Sequence, residues 1–422
     1  MKIQTEVGDQ TQYLAREYND NTMRFIIKYP GKLNADLLNK AIKILVQRVE
    51  ILHSSFQANA FGTKWIVNKT YSEEKLVIVK NIEEDVWEAA KTASLQAIDY
   101  TEETQLQCIL FQNEAESVLV LLVGHMCCDG RDAVYLMKKL IELYNQLLVG
   151  ESTEQVKIKS GSRSIEQCYD GDNEMLGFDM DKIKKEKSAE VKSSYRFLDD
   201  GEGEACLVMR RLSSDAIAKC RKLVEHATVN DVILSAYYRT YVKQMKLSND
   251  TPVGIASMMD LRRYITGGDS AGVTNLSGPI STSLACGIGD SFKHTLSTVV
   301  EQMNTLKNDN KAGMDFTLAI RKCYKIIPFP IIVAAGKKIY SNMSIGLTNI
   351  GNLKSEDLKM GEATPEDFCF AGPLKKKPAL QISASGLDGE VRLCIASECT
   401  MEDKKQLEEL LEMIDCEIKD VE

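Results

Sequence analysis

Val118–Tyr144 reads VLVLLVGHMCCDGRDAVYLMKKLIELY, and this stretch decides the fold. Val118, Leu119, Val120, Leu121, Leu122 and Val123 form a continuous apolar run, the pattern of a strand covered on both faces. Asp129-Gly130 is a strong breaker pair. Beyond it Val134, Met137, Ile141, Tyr144 and Leu148 fall on one face of a 3.6-residue period, which predicts an amphipathic helix. The turn therefore carries His125 and Asp129 at the end of a core strand, a rigid mount for a catalytic base.

Upstream, Met23–Tyr29 reads as a strand ended by Pro30. Asn34 can cap a helix whose apolar face is Leu37, Leu38, Ala41, Leu45, Val49 and Leu52. A surface helix is expected near Glu83–Tyr100 with Trp87 inward, then a hairpin of Gln105–Gln112 and Ser117–Val123.

From Gly150 to about Glu204 the pattern dissolves into polar, Gly- and Ser-rich sequence, read as an inter-domain connection. Its lysines Lys182, Lys184, Lys185 and Lys187 read as solvated surface.

The second half resumes with a strand at Ala205–Leu212, a helix capped by Ser213, and a helix opening at Thr228 or Asn230. Val253–Met259 is an apolar strand ending in Asp260-Leu261-Arg262-Arg263. Then follow a helix at Ser291–Lys307, a buried segment around Pro328–Ala335, and a strand at Met343–Gly351. A strand pair turning at Asp388-Gly389 leads to a last helix, Met401–Ile414, behind a Thr400/Asp403 capping box.

The 422 residues exceed one typical domain, and two domains are the natural expectation. The net charge of -9 argues against nucleic-acid binding, which rests on clustered Lys and Arg. No apolar run reaches transmembrane length, and the polar start lacks a signal-peptide core, so a cytoplasmic protein without a membrane span is expected. The 12 cysteines are scattered without C-x-x-C pairs and read as reduced packing residues.

The His125-x-x-x-Asp129-Gly130 spacing between that strand and that helix resembles the signature of the chloramphenicol acetyltransferase-like superfamily. Its members include peptide-synthetase condensation domains and alcohol acyltransferases. Many carry two adjacent histidines; here Gly124 stands at the first position and His125 at the catalytic second. The T-x-N-D start at Thr228, the arginine after the Val253 strand, the Asn275 element and Thr348-Asn349-Ile350-Gly351 follow the same order. The plant-branch DFGWG loop is missing.

The resemblance implies an α/β fold: two acetyltransferase-like mixed-sheet domains, a pseudo-dimer, facing each other across a central cleft. The expected division is 1–160 with the motif, a 161–204 linker and 205–422. It implies an acyltransferase moving an acyl group from a thioester to a hydroxyl or amine acceptor, with His125 as general base. Asp129 would pair with Arg262 to hold the site, Arg263 being an equally near candidate, and Gly130 would supply the tight turn. Asn275, Thr348 or Asn349 could meet the oxyanion or substrate.

No permanently bound cofactor or metal is implied. Acyl-CoA or a phosphopantetheine thioester would be co-substrate, with a small-molecule acceptor and possibly a carrier protein in trans. The alternative is a catalytically inactive relative that binds a carrier protein or acyl thioester.

Other chemistries fit less well. No G-x-S-x-G elbow accompanies His125 and Asp129, so a serine nucleophile lacks its usual sign. Cys127 and Cys128 suggest zinc or a thiol nucleophile, but adjacent cysteines diverge and no second ligand pair occurs. Lys375, Lys376 and Lys377 read as a solvated loop rather than a phosphate site.

Overall fold

The computed structural model describes residues 1–83, 85–169, 191–199, 201–285, 291–341 and 344–421. Lys182, Lys184, Lys185 and Lys187 lie outside them. Among the described residues three sheets carry the fold.

The first is five-stranded, in the order 367–371, 22–30, 116–124, 106–112, 77–81. The motif strand, Glu116–Gly124, lies between two antiparallel neighbours, which pairs its backbone on both sides. Strand 77–81 adds in parallel to 106–112, so the sheet is mixed. On one face pack helix Ala35–Arg48, capped by Asn34, and the motif helix Gly130–Leu148. The other face is covered by helix Val86–Ala93, shorter than the span expected there. A continuous apolar strand is what two covered faces require, and Val118 to Val123 are all fully buried.

The second sheet is six-stranded, in the order 277–284, 253–260, 346–353, 381–387, 390–399, 204–211. Helices Val229–Gln244, Phe292–Asn308 and Met401–Lys419 cover its core. Thr228 and Thr400 each form a capping box with the aspartate three residues on. A three-stranded sheet of 2–4, 62–67 and 54–59 completes the architecture.

Two features position the site. Strand Asp367–Ala371, from the second half of the chain, pairs with Thr22–Pro30 and extends the first sheet. Its Phe370 and Gly372 amides donate to Ser385 and Ser383 of strand Gln381–Leu387, tying it to the second sheet. Second, strands 253–260 and 346–353 pair only at Gly346–Ala256 and Leu347–Ser257. Beyond those pairs Met258–Asp260 and Thr348–Ile350 line a cavity of about 530 Å³ that also borders the motif turn.

One expectation is corrected. The segment around Pro328–Ala335 is not buried: it opens a helix, Phe329–Tyr340, whose Ile331 is 57% exposed. The helix is amphipathic, and Gly336 lets it approach Leu14 of the N-terminal helix Val7–Ala15. Apolar composition alone does not distinguish a half-covered helix from a core segment.

Candidate active site

The motif strand ends at Gly124, paired with Thr22. The chain then turns, and Asp129 caps the motif helix by accepting from the Asp132 amide at 3.0 Å. The turn is fixed from outside as well. The His125 amide donates to the Asn21 carbonyl at 2.7 Å, and the Asp129 amide to the Thr274 carbonyl at 3.2 Å.

His125 lines the cavity. Its Nδ1 lies 2.9 Å from the Cys128 carbonyl, which only accepts, so the network assigns the ring proton to Nδ1. Nε2 then carries the lone pair. Its protein contact is Gln12 Nε2 at 3.5 Å, long for a hydrogen bond and easily exchanged for a substrate. Burial pushes the imidazole below its ordinary pKa of 6.5; Lys375 pushes the same way, while the Cys128 carbonyl and Asp129 oppose. The ring is therefore neutral at neutral pH, with a basic nitrogen available.

Asp129 does not face His125 as a triad acid would. Its Oδ2 accepts from Arg262 Nη1 at 2.7 Å and from the Leu276 amide at 2.8 Å. The second arm of Arg262, Nη2, donates to Asp132 Oδ2 at 2.8 Å and to the Thr274 carbonyl at 3.1 Å. The Thr274 amide and Lys159 also bind Asp132. Burial works against the Arg262 charge, but Asp129 and Asp132 outweigh it and its pKa is raised. Arg263, the neighbouring candidate, instead donates to the Lys307 carbonyl.

Asn275 is 4% exposed, and its amide donates to the carbonyls of His125 at 3.0 Å and Met126 at 3.1 Å. It thus clamps the motif turn rather than offering a free donor. Behind it lies a group that sequence patterning missed. Asp9, fully buried, accepts from Arg163 at 3.0 and 3.1 Å, from Trp65 Nε1 at 2.9 Å and from Asn275. Arg163 also donates to the carbonyls of Cys127 and Val273. Arg163 belongs to the stretch expected to be linker; its charged surroundings in sequence carry no sign of burial.

Thr348 and Asn349 line the cavity on the splayed strand. Asn349 accepts from the Gly351 amide, and its own amide faces Asn230 at 3.4 Å. Gly130 lines the cavity too, but not as expected. It has no positive φ, since it is the first residue of a right-handed helix, so the turn does not require glycine. A Cβ there would sit 3.4 Å from Ile350 Cγ2, so its missing side chain leaves room where the two halves meet.

Gly124 is explained by its neighbour. A Cβ at that position would lie 2.8 Å from Gln105 Oε1, and the Gln105 amide is held by the Ser54 carbonyl at 2.9 Å. Gln105 thus fills the space a side chain at 124 would need.

Cys127 and Cys128 are fully buried, and Cys127 Sγ donates to the Gly124 carbonyl at 3.0 Å. The Cys128 thiol is pushed well up, chiefly by its contact with Cys127 and by burial, which disfavours a thiolate nucleophile. Among the described residues no group of His, Cys, Asp and Glu could hold a metal. Lys375 departs from expectation: it is only 7% exposed and lines the cavity. No helix among the described residues is long and apolar enough to cross a membrane.

Comparison with known proteins bears out the resemblance drawn from the motif. Residues 10–169 match the condensation-domain family. No curated protein matches the sequence. The first condensation domain of the CDA synthetase aligns with a TM-score of 0.70 at 14% identity, covering 100% of this chain and 97% of that one. The trichothecene 15-O-acetyltransferase of Fusarium sporotrichioides gives 0.71 at 11% identity, covering 98% and 93%. The starter condensation domain of rhizomide synthetase, in complex with C8-CoA and Leu-SNAC, gives 0.70 at 11%, covering 100% and 95%.

Proposed function

Given a chain that has the condensation-domain fold throughout and matches that family over residues 10–169, we propose that it is a cytoplasmic acyltransferase. The acyl group comes from acyl-CoA or a carrier-bound phosphopantetheine thioester, and the acceptor is a hydroxyl or amine. The observation that carries this reading is the setting of His125: Nδ1 beside the Cys128 carbonyl, Nε2 held by no more than a long contact to Gln12, and the ring lining the cavity. Family likeness to proteins crystallised with C8-CoA and named as acetyltransferases supports the thioester donor.

The step follows from that geometry. His125 Nε2 takes the proton of the acceptor O–H or N–H as its heteroatom attacks the thioester carbon. The tetrahedral oxyanion collapses, the C–S bond breaks, and the imidazolium returns its proton to the leaving thiolate. Proximity in the cavity and proton transfer supply the rate, without an acyl-enzyme or a metal. Asp129 and Arg262 hold the frame, and Thr348 or Asn349 contacts the substrate.

A catalytically idle binder of a carrier protein or thioester is the second reading. It is favoured by Asn275, whose amide is spent on the motif turn instead of facing an oxyanion. Release of free thiol from a panel of acyl-CoA donors with small alcohols and amines separates the two. Transfer by the native protein and none by His125→Ala supports the enzyme; no transfer by either supports the binder.

A further inference from the structure

Lys375 follows the strand that crosses between the sheets, and its backbone is pinned on both sides. Its amide donates to the Ala396 carbonyl at 3.0 Å, and its carbonyl accepts from the Glu398 amide at 2.9 Å. Its neighbours satisfy their charges outside the cavity: Lys376 pairs with Glu398 at 3.6 Å, and Lys377 with Asp403. Lys375 has no such partner among the described residues, though it is 7% exposed. Asp20, an acid that acts on it, is engaged by Arg24 and by the amides of Thr22 and Leu374.

Lys375 lines the same cavity as the apolar Met23, Phe370, Ala379 and Leu380 and the neutral polar Asn19 and Gln381. An ammonium buried without a counter-ion is costly, and the cost is removed when a ligand brings the anion. Lys375 and His125 line one cavity, so that anion would share the chamber of the reacting centre.

We propose that Lys375 receives a carboxylate carried by the substrate in this cavity, selecting an acidic acceptor or an acidic acyl group. The proposal takes its substrates from the transferase reading, but the carboxylate site itself can be measured without turnover.

Calorimetric titration with straight-chain carboxylates from butanoate to dodecanoate, each against its amide, tests it. The native protein prefers the carboxylate, and Lys375→Met or Lys375→Gln weakens that carboxylate about tenfold or more while sparing the amide. His125→Ala keeps the preference. Equal affinity for every acid and amide, or an unchanged preference in both Lys375 variants, overturns the proposal. Turnover then tells the sources apart: succinyl-CoA favoured over butyryl-CoA places the carboxylate on the acyl group, and ω-hydroxyhexanoate favoured over its amide places it on the acceptor. A protein that binds carboxylates through Lys375 yet transfers nothing sinks the enzyme reading and leaves the receptor standing.

Discussion

Arg262 Nη1 donates to Asp129 Oδ2 at 2.7 Å across 133 positions of sequence, joining the motif turn to the second half of the chain. Both side chains are nearly inaccessible, at 1% and 5%, and Arg262 bridges Asp129 and Asp132 together. The bridge thereby ties the start of the motif helix to the second half of the chain. Arg262→Met strands Asp129 without a cation, leaves Asp132 to Lys159 and the Thr274 amide, and costs about 3–5 kcal/mol. Urea unfolding would read this as a lower midpoint at unchanged slope. Arg262→Lys recovers little, because one ammonium cannot reproduce the fork. A stable Arg262→Met protein would contradict this account.

His125→Ala is expected to lower acyl transfer by roughly 10²–10⁴-fold. Thermal unfolding should change little, since the ring faces a cavity. Burial holds the imidazole below 6.5, and transfer needs the unprotonated form. The rate therefore falls as pH drops through that depressed value, so the acid limb of kcat/KM lies below 6.5. A limb above it would mean another base.

Lys375→Met should stabilise the protein at neutral pH. Burial brings the amine from 10.5 to about 8, which corresponds to about 3 kcal/mol of native-state penalty. Between those two values the unfolded chain binds more protons, so native stability rises with pH. The gap between the variant and the native protein is thus widest below pH 8 and closes by about 10.5. Paired denaturation curves across that window would show it; a constant gap would not fit.

Asn275→Ala removes the two donations onto the motif turn and should cost about 1–3 kcal/mol. With the turn loosened, kcat falls more than KM rises. A variant with unchanged stability and kcat would show that the turn is held without this amide.

Gly124→Ala should destabilise by about 1–3 kcal/mol through overpacking against Gln105. In a double-mutant cycle, Gln105→Ala removes most of the added cost. Additive effects would show that the two positions do not compete for the same space.

The strand–turn–helix around His125, the alternation of strands and helices, and the capping box at Thr400 were legible in sequence, with Thr228 one of two cap candidates. Each is written in local periodicity or within three residues of a helix start. The pairing of Arg262 with Asp129 was legible only through family resemblance, since no local pattern links positions that far apart.

What the amino-acid order determined by itself was the succession of strands and helices and the address of the imidazole, because apolar period and turn chemistry act over a few residues. The fold class came with the family resemblance. Only the folded chain decided that Asp9 and Arg163 brace the motif, that residues 367–371 complete the other half's sheet, and that Lys375 is buried while Lys376 and Lys377 pair outside the cavity. Burial and charge pairing depend on which distant segments close over a side chain. Three consecutive lysines look alike until packing separates them.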